Sequence, residues 1–548
     1  DHFIASGAKE EFYEPKFTFN GFRYLVVRGL RHPLREQDVE ACFVRTDFPR
    51  IGSFSCSNRT LSELVTMAQN SYLVNFTDGF PTDCAHREKL GWTGDGWIAS
   101  ELAQYFFENT SAYGKWMQDI VDAQRPDGIP CSIVPTSGWG YHTYNGPTFD
   151  AVLATLPWNL YAYRGDRRAL DVAWPAICRY VEAESKLETS PGLVANGLGD
   201  WNAAVAEHMP TPEYVISANY YHLLKLAAKI AAVKGLSGDA EKYAALARRT
   251  ADAINAKYLK ADGVYDNGGQ TAQALPLVLG FAPSAVRKAV AARLVEAVER
   301  ADFHVDLGLV GMKHVFRALS VAGRSDLAIR MLTNPTRPSP AYWVGKTSTL
   351  WEDFNRGLSK SHVMLGDFAA WSVQHLAGIR LAGTDAAIPE PDEPGFRKFV
   401  VAPDTACGLD WAKASVDGPY GTIASSWRKQ DGKTVLEVVV PPNSEATVRF
   451  GGKETAVGPG RHVFGDAAPK TMPLDNVSYD CPKARPCKEL SRPDVQALWL
   501  EGEPWNGKPT EVFAYVGIPA GASATNPVPG VVLAHGGSGT AYLEWVRT

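Results

Sequence analysis

The chain contains 548 residues, of which 45% are apolar and 21% are charged. These shares are typical of globular proteins and exclude disorder over most of the length. The formal net charge of −5 excludes the broad basic surface of a protein that binds duplex nucleic acid. No apolar run reaches the roughly 18 residues that a membrane-spanning helix requires, so we expect no membrane partner. The eight cysteines show no spacing typical of a zinc site, and we predict neither a metal nor another cofactor.

Residues 1–55 are predicted to be the tail of an N-terminal β-domain. Aromatic and β-branched residues between Lys16 and Arg28 surround a turn signal at Asn20-Gly21, a pattern typical of strands. The segment is too short to complete a β-domain by itself, so we expect this chain to contain only a stub of one.

Residues 56–390 consist of Ala-rich segments whose apolar positions recur three or four residues apart, separated by loops rich in Gly, Pro and Asp. This periodicity predicts about twelve amphipathic helices. An even number of long helices favours a toroid of helical hairpins; a generic α-solenoid is the alternative, although no fixed-period repeat is present. The predicted helices span residues 57–77, 92–109, 111–124, 149–164, 167–185, 213–234, 238–258, 270–279, 283–300, 310–322, 324–333 and 365–378.

Residues 391–466 return to alternating apolar and polar positions and predict an antiparallel β-sandwich. Residues 467–548 begin with a Pro-rich linker and end in two strand-like runs, over residues 512–519 and 529–539. One of these, Pro529–Gly539, closes in a His-Gly-Gly turn and resembles the opening of an α/β-hydrolase domain. No Gly-x-Ser-x-Gly nucleophile turn occurs in the chain. We therefore expect either that the chain stops inside such a domain or that the run is a short β-segment without that role.

The densest polar cluster lies in the loop from Asp83 to Asp95, just before a predicted helix. It places Asp83, Glu88 and Asp95 within a short stretch that also contains Arg87 and Trp92. Carboxylates crowded beside an apolar ring raise one another's pKa, which allows one of them to stay protonated and donate a proton near neutral pH. The alternative is a solvated loop with an Asp83–Arg87 surface pair.

A second cluster surrounds Glu352 and His362, in a loop between helices that is rich in aromatic residues. An isolated carboxylate there is usually a helix cap or an ion-pair partner, so Glu352 becomes a catalytic candidate only if it faces Glu88. Two further loops, at residues 139–150 and 197–202, also combine aromatic and polar residues. Four such loops on one rim predict a concave pocket for a small polar ligand with an apolar face, such as a sugar.

The chain resembles glycoside hydrolase family 78, the α-L-rhamnosidases, over residues 10–465. This resemblance implies a mainly α protein: an (α/α)6 barrel between a stub of an N-terminal β-domain and a C-terminal β-sandwich. It also implies inverting hydrolysis of terminal α-L-rhamnosyl units. The matching residues are Thr82–Asp95, Gln124–Gly128, Asp150 with Pro157-Trp158, Gly199–Trp201, Thr349–Glu352, His362 and Pro419–Trp427.

By position, the resemblance makes Glu88 the general acid and Glu352 the general base. The other matching positions are expected to bind the sugar: Asp83, Arg87, Asp95 and His362 hold its hydroxyls, Trp92, Trp139 and Trp201 wall the pocket, and Asp150 and Asp200 complete the set. Ala85-His86 replaces the Pro-Gln of many members, and an acidic residue that usually precedes the acid is absent. Because of these departures, the resemblance does not define the leaving-group side of the pocket.

Inverting hydrolysis needs one protonated and one ionised carboxyl group, about 6.5–9.5 Å apart. A polysaccharide lyase is the first alternative, because basic residues in or near these loops could serve as the base or neutralise a uronate: His86, Lys89, His142 and His362. A non-catalytic glycan-binding module is the second. The absence of a nucleophile turn argues against esterase activity. The predicted partner is a carbohydrate, in a secreted or periplasmic location.

Overall fold

The computed structural model describes most of the chain as two compact units, Asp1–Pro469 and Lys470–Thr548. The described residues are 1–136, 138, 140–141, 143–381, 388–391, 393–465, 483–505, 508–523 and 543–547.

The helices of the first unit confirm the helical prediction for the middle of the chain. Their long members are amphipathic, and the short connections between them reverse the chain, as residues 234–236 do between two helices of 22 residues each. The helices are α1 (Arg59–Val74), α2 (Thr93–Phe106), α3 (Thr110–Asp122), α4 (Pro147–Asp150), α5 (Val152–Arg164), α6 (Arg168–Ser185), α7 (Pro212–Val233), α8 (Ser237–Tyr258), α9 (Gln270–Val278), α10 (Arg287–Arg300), α11 (Leu309–Val321), α12 (Ser325–Thr333) and α13 (Phe368–Trp371), the last continued by a π-helical turn over Ser372–Leu376.

The buried helices contact one another in a closed series. In order around the series, these are α2, α5, α7, α9, α11 and α13, and α13 contacts α2 again. Every residue of α2, α9 and α13 is buried, whereas α8 and α10 bury only one face. The helices that alternate with them in sequence therefore form an outer layer.

A buried ionic network crosses this inner layer. Arg317 of α11 donates to Glu101 of α2 at 2.9 Å and to Asp367 at 2.7 Å, and Lys313 donates to Asp367 at 3.0 Å. All four side chains are almost fully buried. Removing one partner would leave a buried charge unpaired, so the network strongly couples α2 and α11 to the segment that leads into α13.

Two sheets follow the helices. The first has the order β1-β8-β9-β10-β13 and is antiparallel throughout; the second has the order β12-β11-β7-β6, and its β7–β11 pair is parallel, which corrects the prediction of a wholly antiparallel sandwich. The Trp427 indole donates to the Leu376 carbonyl, so the first sheet packs on the end of the helical segment. The strands are β1 (Gly52–Cys56), β2 (Phe76–Thr77), β3 (Phe80–Pro81), β4 (Glu188–Ser190), β5 (Leu193–Val194), β6 (Ile379–Leu381), β7 (Lys398–Val401), β8 (Trp411–Gly418), β9 (Gly421–Gln430), β10 (Lys433–Val440), β11 (Glu445–Phe450), β12 (Lys453–Val457) and β13 (Gly460–Phe464).

The N-terminal residues differ from the prediction in two ways. Residues 1–51, all of which are described, contain no strand, and Phe17 and Tyr24 are exposed; the strand prediction for residues 16–28 is therefore wrong. A strand is stable only against a partner strand and an apolar layer. Strand β1, predicted as part of the N-terminal segment, pairs instead with β8, with Gly52 opposite Val416.

The second unit contains one antiparallel sheet of order β14-β15-β16 and a short helix. The predicted strand over residues 512–519 corresponds to the end of β16, whereas the run Pro529–Gly539 lies outside the described residues. Among the described residues of both units, no helix is long and apolar enough to span a membrane. The elements are β14 (Ala484–Pro486), β15 (Gln496–Trp505), β16 (Lys508–Val516) and α14 (Leu543–Arg547).

Candidate active site

The loop between β3 and α2 contains the predicted acid and is closed by bonds on either side of it. The Asp83 N–H donates to the Leu90 carbonyl at 3.0 Å, and the Leu90 N–H donates to Asp83 Oδ1 at 3.0 Å. The Cys84 thiol donates to Asp83 Oδ2 at 2.8 Å. The chain turns back at Lys89, whose φ of 58° lies in the left-handed region. Asp83 is buried and thus anchors the loop.

Glu88 projects from this loop with its side chain 30% exposed. Arg87 Nη2 lies 2.8 Å from Glu88 Oε1, and the Trp92 indole N–H donates to Glu88 Oε2 at 3.1 Å. The alternative of a solvated Asp83–Arg87 pair is therefore wrong, because Asp83 is buried and Arg87 contacts other carboxylates.

Glu352 lies on a segment that runs antiparallel to the chain that follows it. The Glu352 N–H donates to the Ser359 carbonyl at 2.9 Å, and the His362 N–H donates to the Leu350 carbonyl at 3.0 Å. The Glu352 side chain is only 5% exposed. Its Oε2 accepts from the Ser359 N–H at 3.0 Å, so the turn of the chain itself orients this carboxylate.

Asp353 holds that turn together. Its buried carboxylate accepts the backbone N–H groups of the following residues, at 2.8 Å from Asn355, 3.1 Å from Gly357 and 3.0 Å from Leu358, with Arg356 as a further donor. Burial by itself would raise the pKa of Asp353, but these N–H donors hold it below its usual value. Asp353 therefore stays ionised and keeps the turn closed.

Arg87 joins the two predicted catalytic carboxylates. The nitrogen that contacts Glu88 also lies 3.1 Å from Glu352 Oε2. Since both distances start from Arg87 Nη2, the nearest oxygens of Glu88 and Glu352 lie within about 6 Å of each other. Glu352 therefore faces Glu88, so it meets the condition stated above for a catalytic candidate.

Three further predicted residues lie together beside this pair. His362 Nε2 lies 2.8 Å from Asp95 Oδ1, and all three of Asp83, Asp95 and His362 are buried. Burial, followed by the charge of Asp95, raises the pKa of Asp83 to about 6. Burial is the largest single influence and opposes the imidazolium form of His362, but the carboxylates of Asp95, Asp83 and Glu352 together outweigh it and raise the pKa of His362. The cluster can thus accept hydrogen bonds from a polyol and donate hydrogen bonds to it.

The remaining predicted residues have different placements. Trp92 is half-buried and packs edge-on against Phe149, with ring centroids 6.3 Å apart. Trp201 is half-buried beside Asn202, whose side chain donates to the Glu352 carbonyl. Trp139 lies outside the described residues.

Asp200 and Asp150 are not brought together with the two glutamates by any contact within the described part of the chain. Asp200 is fully buried and accepts from backbone N–H groups at the start of α11, from Gly308, Val310 and Gly311. Asp150 is buried near Glu184, and burial raises the pKa of both, that of Glu184 to about 7.

Two residues that hold the segment around Glu352, Asp353 and Asn202, were not predicted from the sequence. An Asp shortly before a Gly is a recognisable turn signal, so Asp353 had a local indication. Asn202 had none, because its partner lies 150 positions later in the chain. Within the described residues, no group of three or more His, Cys, Asp or Glu side chains is arranged to hold a metal ion.

Comparison with known proteins gives a consistent result along the first unit. Residues 49–376 match the bacterial α-L-rhamnosidase six-hairpin glycosidase domain, residues 388–464 match the C-terminal domain of those proteins, and residues 1–45 match their concanavalin-like domain. An α-L-rhamnosidase of Streptomyces avermitilis is 32% identical over 476 residues, covering 82% of this chain and 43% of that protein. One of Formosa agariphila is 28% identical over 477 residues, covering 81% and 49%.

Solved structures are similar as well. The Streptomyces avermitilis α-L-rhamnosidase complexed with L-rhamnose superposes with a TM-score of 0.71 at 28% identity, over 77% of this chain and 43% of that one. The α-L-rhamnosidase of Aspergillus terreus gives 0.75 at 27% identity, over 83% and 55%. The chain spans about half the length of the curated relatives it matches. Because the family match covers more than half of this chain, the chain belongs to the bacterial α-L-rhamnosidase six-hairpin glycosidase family.

Proposed function

We propose that this protein is an inverting glycosidase that releases terminal α-L-rhamnosyl units, with Glu88 as general acid and Glu352 as general base. The observation that carries the proposal is the pair of carboxylates facing each other across Arg87, beside the buried Asp83–Asp95–His362 cluster. The family membership of the chain supports the rhamnosyl specificity.

The surroundings of the two carboxylates suit different roles. Glu352 is buried and oriented by the Ser359 N–H, as a base that must hold one water at a fixed place requires. Glu88 is partly exposed, so it can reach the oxygen of a leaving group that differs between substrates. The Arg87 ion pair with Glu88 would have to open before Glu88 could donate a proton.

Substrate binding supplies a reason for Arg87 to move. With a side chain 41% exposed, Arg87 is free to turn from the two carboxylates toward sugar hydroxyls. Inverting enzymes keep their carboxyl groups about 6.5–9.5 Å apart to admit a water beside the sugar. The nearest oxygens of Glu88 and Glu352 lie within about 6 Å of each other, bridged by the guanidinium nitrogen. The partly exposed Glu88 would therefore have to move outward as Arg87 leaves, to admit the water. Asp83, Asp95 and His362 would then hold the hydroxyls, with Trp92, Trp139 and Trp201 as walls.

Three further expectations, on the fold, the C-terminal segment and the location, complete the proposal. The closed series of inner helices supports an (α/α)6 barrel. The run Pro529–Gly539 supports the start of an α/β-hydrolase segment, and a glycan substrate supports a secreted or periplasmic location.

Of the four basic residues named for the lyase alternative, two are engaged by other groups, and burial lowers the pKa of His86. His362 is paired with Asp95, and the Lys89 amine donates to the Phe19 carbonyl. His142 lies outside the described residues.

A proton NMR time course with an aryl α-L-rhamnoside tests the proposal, using the wild type, Glu88→Gln and Glu352→Gln. We expect β-L-rhamnose to appear first and both variants to lose about 10²–10⁴-fold in rate. Initial release of α-L-rhamnose would contradict inversion. An ultraviolet-absorbing unsaturated product from a rhamnosyl uronate would indicate a lyase, and binding without turnover would indicate a glycan-binding module.

A further inference from the structure

The outer side of the segment that contains Glu352 is strongly cationic, although the chain as a whole has a net charge of −5. Residues 335–361 contain only two carboxylates, Glu352 and Asp353, and both are buried. All the cations of this segment are exposed: Arg337, Lys346, Arg356 and Lys360. The solvent therefore meets positive charge alone along this stretch.

Three of these cations gather on two aromatic rings. The Arg337 guanidinium lies 4.3 Å from the centroid of Tyr342 and 6.0 Å from that of Trp351. Lys346 Nζ lies 3.3 Å from the Tyr342 centroid, and Lys360 Nζ lies 5.0 Å from the Trp351 centroid. The Lys346 ammonium thus lies within about 8 Å of the guanidinium, about one Debye length in physiological salt, and the Lys360 ammonium lies within about 11 Å of it.

None of these three cations forms an ion pair with a carboxylate in the part of the chain that the structure describes. Lys346 donates only to the Tyr342 carbonyl. Like charges this close repel one another, and an anion placed among them would relieve that repulsion and be attracted to the surface. We call Arg337, Lys346 and Lys360, with Tyr342 and Trp351, the cationic platform.

The cationic platform is continuous with the candidate active site. Trp351 immediately precedes Glu352, and Lys360 immediately follows Ser359, whose N–H donates to the Glu352 carboxylate. The Thr349 hydroxyl donates to the Lys360 carbonyl at 2.7 Å and ties the two sides of the segment together. A group bound on the platform would therefore contact the segment that orients the base.

We propose that the cationic platform binds an acidic saccharide, the part of the substrate that carries the rhamnosyl unit. This inference rests on the proposed function and narrows its substrate class to glycans bearing a carboxylate or a sulfate ester. The cations attract the acid group, and the half-buried ring of Tyr342 adds apolar contact for a sugar face.

Three disaccharides test this proposal: α-L-rhamnosyl glucose, α-L-rhamnosyl glucuronate and an α-L-rhamnosyl glucose sulfate. We expect kcat/KM at low salt to be about tenfold higher for at least one acidic substrate than for the neutral one, and to fall toward the neutral value as salt is added. The acidic disaccharide with the higher kcat/KM shows whether the platform favours a carboxylate or a sulfate.

The triple variant Arg337→Gln/Lys346→Gln/Lys360→Gln should remove this preference and change kcat/KM for the neutral disaccharide by less than about twofold. The matched control Arg248→Gln/Lys288→Gln/Lys453→Gln removes the same charge from exposed positions elsewhere and should keep the preference. Thermal unfolding of both variants checks that the fold is retained.

Equal kcat/KM for all three substrates, or a preference that survives in the triple variant, would overturn the proposal. Should the wild type hydrolyse none of them, nor an aryl α-L-rhamnoside, the proposed function fails instead. Calorimetry with the acidic disaccharides then tests the platform proposal separately. Binding to the wild type that the triple variant loses would support the proposal, and no binding to the wild type would overturn it.

Discussion

The loop that contains Glu88 and the segment that contains Glu352 each present one carboxylate, but they hold it in opposite ways. Glu88 is 30% exposed and is held by side-chain contacts from Arg87 and Trp92. Glu352 is 5% exposed and is held by a backbone N–H of its own segment. Side-chain contacts can exchange for substrate contacts, whereas a backbone contact persists. The difference teaches that the acid is adjustable and the base is fixed, as their proposed roles require.

The two aspartates that anchor these regions extend the contrast. Asp83 receives one backbone N–H and one thiol, and burial beside Asp95 raises its pKa to about 6. Asp353 receives several backbone N–H groups, which hold its pKa below its usual value. At Asp353 the backbone N–H donors outweigh burial, whereas at Asp83 burial and the Asp95 charge outweigh the donors.

The largest expected effect comes from varying the leaving group in the two glutamine variants. A nitrophenolate leaves without a proton, so Glu88→Gln should return to within about tenfold of the wild type on a nitrophenyl rhamnoside, whereas Glu352→Gln should stay about 10²–10⁴-fold slower on every substrate. Steady-state kinetics over a series of aryl rhamnosides measures this. Equal rescue of both variants would remove the distinction between acid and base.

Asp353→Asn should lower kcat by about ten- to a hundredfold, because the amide cannot accept the same N–H groups and Glu352 loses its fixed position. Asp252→Asn, on the exposed face of α8, is the control and should leave kcat unchanged. A fall in thermal stability with kcat intact would show that Asp353 supports only the fold.

The pH dependence should reflect Asp83. Its pKa of about 6 in the folded protein lies above 3.8, the ordinary value of an aspartate, so its protonated form stabilises the fold at low pH, and this contribution is lost as the pH rises through about 6. The expected pH dependence of catalysis has the opposite sign. Only the ionised form of Asp83 accepts hydrogen bonds from sugar hydroxyls without donating one. We expect kcat/KM to fall as the pH drops below about 6.

The variant Asp83→Asn should remove that acidic fall while lowering kcat/KM at every pH. A profile of kcat/KM against pH for wild type and variant, measured on one neutral rhamnoside, checks both statements. An unchanged acidic limb in Asp83→Asn would assign it to another group.

The smallest expected effect is that of Trp92→Phe. This change removes the indole N–H that contacts Glu88 but keeps an aromatic ring in the wall, so kcat should fall by about two- to fivefold, as for the loss of one hydrogen bond. A larger loss would mean that the acid is less adjustable than its exposure indicates.

The fold could be predicted where local pattern and packing agree. The helical periodicity of residues 240–258 is amphipathic in sequence, and these residues form most of α8. The strands predicted over residues 16–28 had the right composition but no strand to pair with. Strand β1 was attributed to the wrong region, because pairing with β8 joins residues more than 350 positions apart, and no local pattern records such a pairing.

The amino-acid sequence by itself determined the helices, the family resemblance and the choice of Glu88, Glu352 and the Asp83–Asp95 loop, because each depends on residues close together in the chain. Only the tertiary structure decided that Arg87 spans the two glutamates, that Asn202 supports Glu352 and that Asp200 turns inward to the amides of α11. Those contacts join residues 110 or more positions apart. They depend on how the helices pack, and packing follows from the whole set of buried surfaces rather than from any local segment.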